Sequence, residues 1–526
     1  MTSKQQPEIN DKFRQALDLI KKGENLFITG RAGTGKSTLL NYFRKNTDRE
    51  IVVLAPTGVA AVNIKGQTIH SFFGFKPDIT WDKIRKKYEP GDEDNIYAQL
   101  DTIVIDEVSM VRADLLDFVD KFLRLNTGNK SEPFGGVQMI FIGDLYQLPP
   151  VLTGEERKTF NQKYNGPYFF NAKVLEEGRS GMNLVELDKI YRQKDDRFVD
   201  FLNKVRNNSI TEEEIEEINE KCYKPDFTPS PDDFYVYLTP TNKAAREINN
   251  FHLGRLNTEE YYFPGKIKGK FEEKNMPAEP ELFLKIGAQV MLVNNDKNGR
   301  WVNGTIAKVV DVEEELDEED EEGQVVIVEL PDGSIEPVAP YTWDMYSFYF
   351  DSEKEAVESE TIGSFTQYPL RLAWAVTIHK SQGKTFDKMI LDIGNGTFAH
   401  GQMYVALSRC VSLEGLILKR KITKNNIWMD WRVVKFLTNY QYDISEQEMS
   451  LQDKMDIIEE AIREEADLEI TYLKANDVKS DRVIRPVYVG EGEYLGKTFP
   501  SVEGYCFKRK EERVFRVDRI LKLKKK

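Results

Sequence analysis

The chain has 526 residues, of which 40% are apolar and 31% are charged, and its formal net charge at pH 7 is −15. This length predicts about three to four domains, with enough apolar residues for several cores. The sequence lacks an apolar run near the ~18 residues of a membrane span, and its first residues are polar, so we expect neither a membrane anchor nor a signal peptide. The negative net charge argues against a uniformly basic surface for binding nucleic acid, although the local distribution of charge matters more than the net charge.

The cysteines are Cys222, Cys410 and Cys506. They are far apart, odd in number and without the spacing of metal ligands. This pattern predicts small core residues in a reducing cytosol.

The stretch from Gly30 to Ser37 fits the phosphate-loop pattern. It follows an apolar run at 25–29, which predicts a buried parallel strand, and precedes a helix start at 37–43. Glycines let backbone N–H groups turn inward around a polyphosphate, and the helix N-terminus adds its positive end. We expect Lys36 to reach the β- and γ-phosphates of ATP and the Ser37 hydroxyl to bind Mg²⁺. The predicted nucleotide-binding residues of this stretch are Gly30, Gly33, Thr34, Gly35, Lys36, Ser37 and Thr38. A glycine turn that binds no nucleotide is the alternative.

A second apolar run at 51–54 ends in small and hydroxyl residues and is followed by an aromatic pair. Such a strand end suits a surface where backbone amides hold phosphates and a ring stacks on a base. The predicted DNA contacts here are Pro56, Thr57, Gly58, His70 and Phe72. For Phe72 and Phe73, a place in the core fits the pattern equally well.

Two further apolar runs, at 102–105 and 137–142, end in polar residues. In a doubly wound sheet the nucleotide lies at the carboxyl ends of the strands. We therefore expect Asp106 to hold Mg²⁺ and Glu107 to orient the attacking water. The Gln147 amide, after the later run, is placed to sense the γ-phosphate.

Together these segments resemble superfamily 1 helicases, and the stretch from Gly143 to Pro150 narrows the resemblance to the PIF (petite integration frequency) and RecD-like branch. Segments 191–193, 238–242, 376–385 and 404–409 are similar to later motifs of that family, so the resemblance covers roughly residues 10–440. In one departure, Phe13 stands where relatives often have an adenine-reading glutamine, with Gln15 two residues on.

The resemblance implies an α/β fold with two RecA-like P-loop motor domains and ATP in the cleft between them. The first domain is expected at 10–186, with a small wedge insertion within about 70–100, and the second at 187–250 and 365–440. Arg192 and Arg409 would close on the phosphates from the second domain and neutralise the charge that builds during transfer. The family's motifs also assign nucleotide contacts to Gln382, Gly383 and Lys384, and DNA contacts to Thr241, Asn242, Thr377, His379 and Lys380.

Segment 251–364 lacks the motor motifs and shows short strand-like runs separated by Gly, Asp and Asn turns. It resembles the SH3-like β-barrel inserted in this family, with a purely structural buttress as the alternative. The acidic run from Glu313 to Glu322 predicts a solvated loop between two of its strands, which should repel DNA. In the wedge, Lys83, Arg85, Lys86 and Lys87 are candidates to border a duplex junction.

Beyond Tyr442, an amphipathic pattern at 451–467 predicts a helix, and strands are predicted at 468–472, 483–489, 502–507 and 513–520. This helix followed by a β-barrel, at 450–526, resembles a WYL domain. Residues 470–526 hold 15 Lys or Arg against 8 Asp or Glu. Basic residues interleaved with aromatic ones suit single-stranded DNA. The predicted contacts are Tyr472, Lys474, Arg482, Arg485, Tyr505, Arg509, Arg513 and Arg516, and a solvated basic face is the alternative.

The resemblance implies an ATP- and Mg²⁺-dependent DNA helicase that moves 5′→3′ on single-stranded DNA. Duplex or fork DNA would be its substrate, with G-quadruplex DNA left open, and a monomer in a bacterial-type cytosol near the nucleoid is expected. The competing hypothesis is a DNA-dependent ATPase switch or regulator that does not unwind. A nuclease subunit is a third, but outside the ATP site the sequence shows no metal-carboxylate cluster.

Overall fold

The computed structural model describes residues 9–526 except for short gaps. The gaps are residues 32, 77–78, 90–91, 93, 153, 177–181, 190–194, 317–321, 352, 355, 395, 397–398 and 495. The chain forms two compact units, residues 1–202 with 212–427 and residues 203–211 with 428–526.

The helices are numbered along the chain. They are α1 (Asp11–Lys21), α2 (Lys36–Lys45), α3 (Gly58–Asn63), α4 (Ile69–Phe73), α5 (Ile96–Gln99), α6 (Ala113–Asn126), α7 (Gly154–Phe160), α8 (Lys173–Glu176), α9 (Asp196–Arg206), α10 (Glu212–Cys222), α11 (Asn242–Gly254), α12 (Gln402–Leu407), α13 (Trp431–Glu448) and α14 (Leu451–Arg463). Within the described residues, none of these helices has the length and apolar character needed to cross a bilayer.

The strands are numbered in the same way. They are β1 (Leu26–Gly30), β2 (Ile51–Ala55), β3 (Gln67–Thr68), β4 (Thr102–Ile105), β5 (Gln138–Ile142), β6 (Asn183–Leu187), β7 (Val236–Thr239), β8 (Glu260–Pro264), β9 (Lys266–Gly269), β10 (Glu281–Lys285), β11 (Gln289–Leu292), β12 (Ile306–Leu316), β13 (Glu322–Glu329), β14 (Ile335–Val338), β15 (Tyr341–Asp351), β16 (Ala356–Gln367), β17 (Leu370–Leu372), β18 (Ala375–Thr377), β19 (Met389–Leu391), β20 (Leu416–Leu418), β21 (Leu468–Leu473), β22 (Lys479–Tyr494), β23 (Lys497–Cys506), β24 (Glu511–Arg516) and β25 (Ile520–Lys525).

The first sheet is parallel throughout and has the strand order β3-β2-β4-β5-β1-β6. Every residue of β1, β4 and β5 is buried, so both faces of the sheet are covered, as an uninterrupted apolar run requires. Each of the four strands predicted from the sequence is confirmed to within one residue. Because parallel strands share their carboxyl edge, the loops after β1, β2, β4 and β5 meet there.

A second parallel sheet has the order β18-β7-β19-β20. Strand β7 precedes segment 251–364 in the chain, while the other three strands follow it. The segment therefore interrupts the sequence of this sheet, and the carboxyl ends of β7 and β18 lie side by side.

Segment 251–364 is rich in antiparallel strands. Together with the end of β16 and with β17, which lie beyond residue 364, they form three sheets, β14-β13-β12-β11-β17, β15-β16-β9 and β10-β8. The described strands do not close into a barrel, so the expected β-barrel is replaced by open sheets, of which β14-β13-β12-β11-β17 and β10-β8 share one core. That core includes Leu284, Val290, Trp301, Val326 and Leu370.

The acidic run is only in part a loop. Strand β12 extends to Leu316 and β13 starts at Glu322, with Glu313 opposite Val325 and Glu314 opposite Gln324. Both glutamates are exposed, so the ladder continues without burying their charge. The prediction of a loop over the whole run is wrong, and its central residues, 317–321, lie outside the described part.

The second unit contains an antiparallel sheet in the order β24-β23-β22-β21-β25, with α13 and α14 beside it. The predicted amphipathic helix is confirmed, although it ends at Arg463, and its Ile458 and Ala461 are buried with Leu468, Ile484 and Phe515. The strand predicted at 513–520 is broken by a 3₁₀ turn at Val517–Arg519. The turn lets the chain cross to pair with β21. The edge strands β24 and β25 are not paired with each other, so these described strands form an open sheet.

Candidate nucleotide and DNA sites

The phosphate loop joins β1 to the first turn of α2. Gly35 is the N-cap of α2 with φ of 88°, a left-handed conformation that favours glycine. Lys36 Nζ donates to the carbonyl oxygens of Gly30 at 2.7 Å and Arg31 at 3.0 Å. The Thr34 hydroxyl donates to the same Arg31 oxygen at 2.9 Å and is buried. The lysine ammonium thus lies along the loop, with Ser37 and Thr38 in the following helical turn.

Two carboxylates follow β4 at the same edge of the sheet. Burial raises the pKa of Asp106, although the Glu107 N–H and Lys36 pull it down. Burial and then the Asp106 charge raise the pKa of Glu107 to about 7, against the lowering effect of Lys36 and Arg409. A carboxyl group that titrates near neutral pH is suited to accept a proton.

The Gln382 amide connects the two parallel sheets. Its Nε2 donates to Glu107 Oε2 at 3.1 Å and to Gln147 Oε1 at 3.0 Å. Glu107 and Gln147 follow strands of the first sheet, whereas Gln382 follows β18 of the second. The structure therefore brings together three residues that the sequence assigned separately to the nucleotide site.

Arg409 reaches the same region from the end of α12 and is 1% exposed. Its guanidinium donates to the carbonyl oxygens of Val405 at 2.9 Å and Lys384 at 3.1 Å, and to Ser408 Oγ at 2.8 Å. Its charge lowers the pKa of Glu107, and its bond to the Lys384 carbonyl joins it to the turn that carries Gln382. The other predicted arginine, Arg192, lies outside the described residues together with Tyr191 and Gln193.

Sequence reasoning missed a second contact between the sheets. The Tyr404 hydroxyl donates to Asp144 Oδ2 at 3.3 Å, and the carboxylate, 1% exposed, also accepts from the Tyr146 N–H. A ring nitrogen of His400 lies 3.1 Å from the Leu145 carbonyl oxygen. Asp144 and Tyr404 stand inside recognised motifs, but a motif does not reveal which other motif its members contact.

Lys384 has a different neighbour from the one the family motif implied. Its Nζ donates to Asn303 Oδ1 at 2.6 Å, in the loop between β11 and β12. Burial and then Arg371 lower its pKa to about 8. Gly383, beside it, is exposed and has φ of 80°. The nucleotide-binding roles of Gly383 and Lys384 therefore stay predictions.

Phe13, which stands where relatives often have an adenine-reading glutamine, is a core residue. Phe13 is 3% exposed on α1 and packs in the core of the first sheet, whereas Gln15 is exposed. The buried Phe13 side chain has no polar atom and therefore offers adenine no hydrogen bond.

Two predicted DNA contacts occupy equivalent places in the two sheets. Thr57 caps α3 after β2, and Thr241 caps α11 after β7, each accepting from a backbone N–H three residues on, at 3.3 Å and 3.2 Å. Each threonine follows a proline and is exposed, and each helix directs its N-terminus to the carboxyl edge of its sheet. Helix N-termini of this kind bind phosphate oxygens.

The stacking role predicted for Phe72 is contradicted. Phe72 is 5% exposed, and its ring packs edge-on against Phe73, Tyr97 and Phe348, with ring centroids 4.9, 5.4 and 6.3 Å away. Its Phe73 neighbour is 2% exposed. The alternative interpretation, an aromatic core, is confirmed.

The remaining predicted DNA contacts vary in exposure. Asn242 and Lys380 are exposed, Pro56, His70 and His379 are partly buried, and Gly58 and Thr377 are buried. Thr377 Oγ1 accepts from the Lys380 N–H at 3.2 Å and shapes the turn that follows β18. In the wedge, Lys83, Arg85, Lys86 and Lys87 are all exposed along a 3₁₀ turn and the chain after it.

The basic residues of the second unit divide into two sets. Arg482, Lys508, Arg509 and Arg513 all act on Lys474, whose pKa is lowered first by burial and then by these charges. Arg485 is paired with Asp467 at 2.8 Å and Arg516 with Asp518. Arg513 also forms an ion pair, with Glu511. We call Lys474, Arg482, Lys508, Arg509 and Arg513 the basic cluster.

Arg482 differs from the rest of the basic cluster because it is 7% exposed. It lies 5.6 Å from the Phe515 ring, and its Nη1 donates to Cys506 Sγ at 3.4 Å. This burial contradicts its predicted role as a DNA contact. The Tyr472 ring also packs against Phe515, with 5.3 Å between the ring centroids. The aromatic residue that sequence reasoning missed is Phe507, 41% exposed, with Tyr505 and Arg485 beside its ring.

The three cysteines are buried, as predicted. In the described part of the chain, no group of three or more His, Cys, Asp or Glu side chains could hold a metal ion. A cation at the phosphate loop would therefore depend on the Ser37 hydroxyl, the Asp106 carboxylate and oxygens of the nucleotide. These are the hard oxygen ligands that Mg²⁺ prefers, so the residues fit that ion.

The sequence matches the model of the PIF1-like helicase family over residues 1–216 and that of the WYL domain over residues 453–525. It is 33% identical over 427 residues to an ATP-dependent DNA helicase Pif1 of Bdellovibrio bacteriovorus, with 78% of this chain and 88% of that protein covered. A PIF1 of Emericella nidulans is 31% identical, and the chain spans 61% of its length.

Solved structures of Pif1 are similar too. Bacteroides sp Pif1 in complex with ADP-AlF4 is 36% identical with a TM-score of 0.75, covering 83% of this chain and 98% of that one. Bacteroides Pif1 bound to single-stranded DNA is 37% identical with a TM-score of 0.58 over the same shares. The two parallel sheets thus correspond to two RecA-like domains, and the second unit contains a WYL domain.

Proposed function

Because the chain belongs to the PIF1-like helicase family, we propose that it is an ATP-dependent DNA helicase that moves 5′→3′ along single-stranded DNA. The observation that carries the proposal is the pair of contacts from Gln382 to Glu107 and Gln147. A nucleotide bound at the phosphate loop would lie beside residues of both sheets. Its hydrolysis can therefore change how the sheets meet, which a motor requires.

The phosphate loop binds and orients ATP in this proposal. Lys36 exchanges the carbonyl oxygens of Gly30 and Arg31 for β- and γ-phosphate oxygens, and the loop N–H groups hold the remaining charge. Ser37 and Asp106 would hold Mg²⁺, which supplies positive charge to the phosphates.

Glu107 accepts a proton from the attacking water, which Gln147 and Gln382 orient. Arg409 and Arg192 neutralise charge on the phosphoryl group as it transfers. When the cleaved phosphate leaves the site, its charge leaves with it, so the attraction between the two sheets at the cleft weakens. Alternation between the two states moves the DNA.

DNA lies across the carboxyl edges of both sheets. The N-termini of α3 and α11, at Thr57 and Thr241, offer N–H groups to phosphates of successive nucleotides. Asn242, His379 and Lys380 extend this surface on the second sheet. Backbone contacts of this kind carry no base specificity, as a translocating enzyme needs.

The WYL domain is proposed as an accessory single-strand-binding module. The exposed members of the basic cluster, and Phe507 beside Tyr505, offer phosphate partners and stacking surfaces. We also propose domain limits of 10–186, 187–250 with 365–440, 251–364 and 450–526. A monomer acting at forks near the nucleoid, with G-quadruplexes as a further substrate, completes the proposal.

Two measurements test the function. ATP hydrolysis should rise strongly when single-stranded DNA is added. A duplex with only a 5′ tail should be unwound, and one with only a 3′ tail should not. DNA-stimulated hydrolysis with no unwinding of either would instead favour the ATPase switch, and unwinding only from a 3′ tail would reverse the polarity.

A further inference from the structure

Lys384 lies where the segment 251–364 meets the nucleotide site. Its Nζ donates to Asn303 Oδ1 at 2.6 Å. Gly304 has φ of 105°, and a Cβ there would lie 3.2 Å from Lys384 Cβ, so the loop backbone packs on the lysine stem. We call residues 293–305 the Asn303 loop.

The backbone of Lys384 belongs to the turn that carries Gln382. The Lys384 N–H donates to the Ser381 carbonyl at 3.0 Å, and the Lys384 carbonyl accepts from Arg409 Nη1 at 3.1 Å. We call residues 381–384 the Gln382 turn. At one end of this turn, the Lys384 side chain bonds to the Asn303 loop. The other residues of the turn contact Glu107, Gln147 and Arg409.

The Asn303 loop also reaches the first sheet. Asn303 Nδ2 lies 3.5 Å from Asn63 Oδ1, at the end of α3, and Thr57 caps the start of that helix. One asparagine therefore lies between a helix on the proposed DNA surface and a turn at the proposed ATP site. Displacement of Asn303 would change the surroundings of both.

We propose that Lys384 is a positioning residue that couples the Asn303 loop to the ATP-hydrolysing residues, an inference that rests on the proposed helicase function. A partly buried ammonium that loses its acceptor leaves an unpaired charge, which is costly. The Gln382 turn must then shift to find another acceptor, and Gln382 and the carbonyl bonded to Arg409 shift with it. Movement of the inserted segment on DNA would thereby change the rate of hydrolysis.

The test compares Lys384→Met, Asn303→Ala and the double variant. Met keeps the length of the stem and removes Nζ. We expect each single change to lower the ratio of kcat with single-stranded DNA to kcat without it by about five- to tenfold, the scale of a coupling between sites. KM for ATP should stay within about twofold, since uniform nucleotide binding is not lost. The double variant should be no worse than Lys384→Met alone.

Lys308→Met is the matched control. It removes a lysine that does belong to the inserted segment, and whose Nζ lies 2.6 Å from Asp232 Oδ1. Because such a surface pair contributes little, the stimulation ratio should not change. Asn303→Asp, which keeps an acceptor for Nζ, should retain stimulation.

The coupling would be overturned by an unchanged ratio in Lys384→Met, or by effects of the two single changes that simply add. If the unchanged ratio came with a raised KM for ATP, Lys384 would be a nucleotide contact. If the unaltered protein showed no DNA stimulation, the proposed function would fail instead. Retained stimulation in Asn303→Ala would also contradict the inference, even if Lys384→Met did not fold.

Discussion

Gln382 donates to Gln147 Oε1 at 3.0 Å, and this bond joins a turn of the second sheet to a loop of the first. The same Nε2 also donates to the Glu107 carboxylate at 3.1 Å. A side chain with two acceptors from the other sheet holds its position only while both sheets keep their places. The contact therefore depends on the relative placement of the two sheets.

Replacement of Gln382 by Leu should lower kcat for ATP by about 10²-fold, the cost of misplacing a catalytic group by about 1 Å. Leu has a similar volume but donates no hydrogen bond, so Glu107 loses a partner that orients it. Nucleotide affinity, measured by fluorescence with a labelled ATP, should change little. A large loss of affinity with kcat retained would instead show that Gln382 binds the nucleotide directly.

Replacement of Glu107 by Gln should leave ATP binding intact and stop turnover, because the amide keeps the shape of the side chain but accepts no proton. Loss of a general base costs about 10²–10⁴-fold. The variant should therefore remain ATP-bound on DNA, which gel filtration with labelled nucleotide and labelled DNA would detect. Normal turnover would assign the base to another group.

Arg409→Ala should lower kcat for ATP far more than it changes KM, by about 10³-fold or more if Arg409 acts as an arginine finger. The buried guanidinium also bonds Val405 and Lys384, so a fall in melting temperature should accompany the kinetic effect. Arg409→Lys keeps the charge but not the forked geometry, and should recover only part of kcat. A change confined to KM would mean that Arg409 binds ground-state nucleotide.

The motor fold could be predicted because its signals are local. Strands β1, β4 and β5 are buried along their whole length, so each reads as a short apolar run, and each ends in residues whose chemistry needs the carboxyl edge. The phosphate loop and the pair Asp106 and Glu107 follow directly from that arrangement.

Partners distant in sequence could not be predicted. The aromatic pair at Phe72 has the same local pattern whether it faces a base or a core, and its burial depends on Tyr97 and on Phe348 of the inserted segment. In the same way, nothing near Lys384 in the sequence indicates Asn303. The last predicted strand is broken by a turn because β25 pairs with β21, a strand distant in the sequence.

The protonation of Lys384 should affect stability in a defined direction. Burial and then Arg371 on β17 lower its pKa to about 8 in the folded chain, where Arg409 also lies against its carbonyl, whereas an unfolded lysine titrates near about 10.4. Between these values the unfolded state binds more protons, so the free energy of unfolding contributed by Lys384 rises with pH. The melting temperature of Lys384→Met, taken relative to that of the unaltered protein, should therefore be higher at pH 7 than at pH 10. A difference that does not depend on pH would contradict the lowered pKa.

The WYL domain should contribute to single-strand binding through the exposed part of the basic cluster. Lys508 and Arg509 are both exposed, whereas Arg482 is buried and its replacement would test packing instead. Lys508→Ala with Arg509→Ala should weaken binding at low salt. The slope of log K against log salt should become shallower by about 0.7 for each lost phosphate contact.

Phe507→Ala should weaken binding by about 1–3 kcal/mol if a base stacks on that ring, with little change in slope. Lys497→Ala, an exposed lysine of the same sheet outside the cluster, is the matched control. If the double change alters neither affinity nor slope while the fold survives, the basic cluster is a solvated face and the strand binds elsewhere.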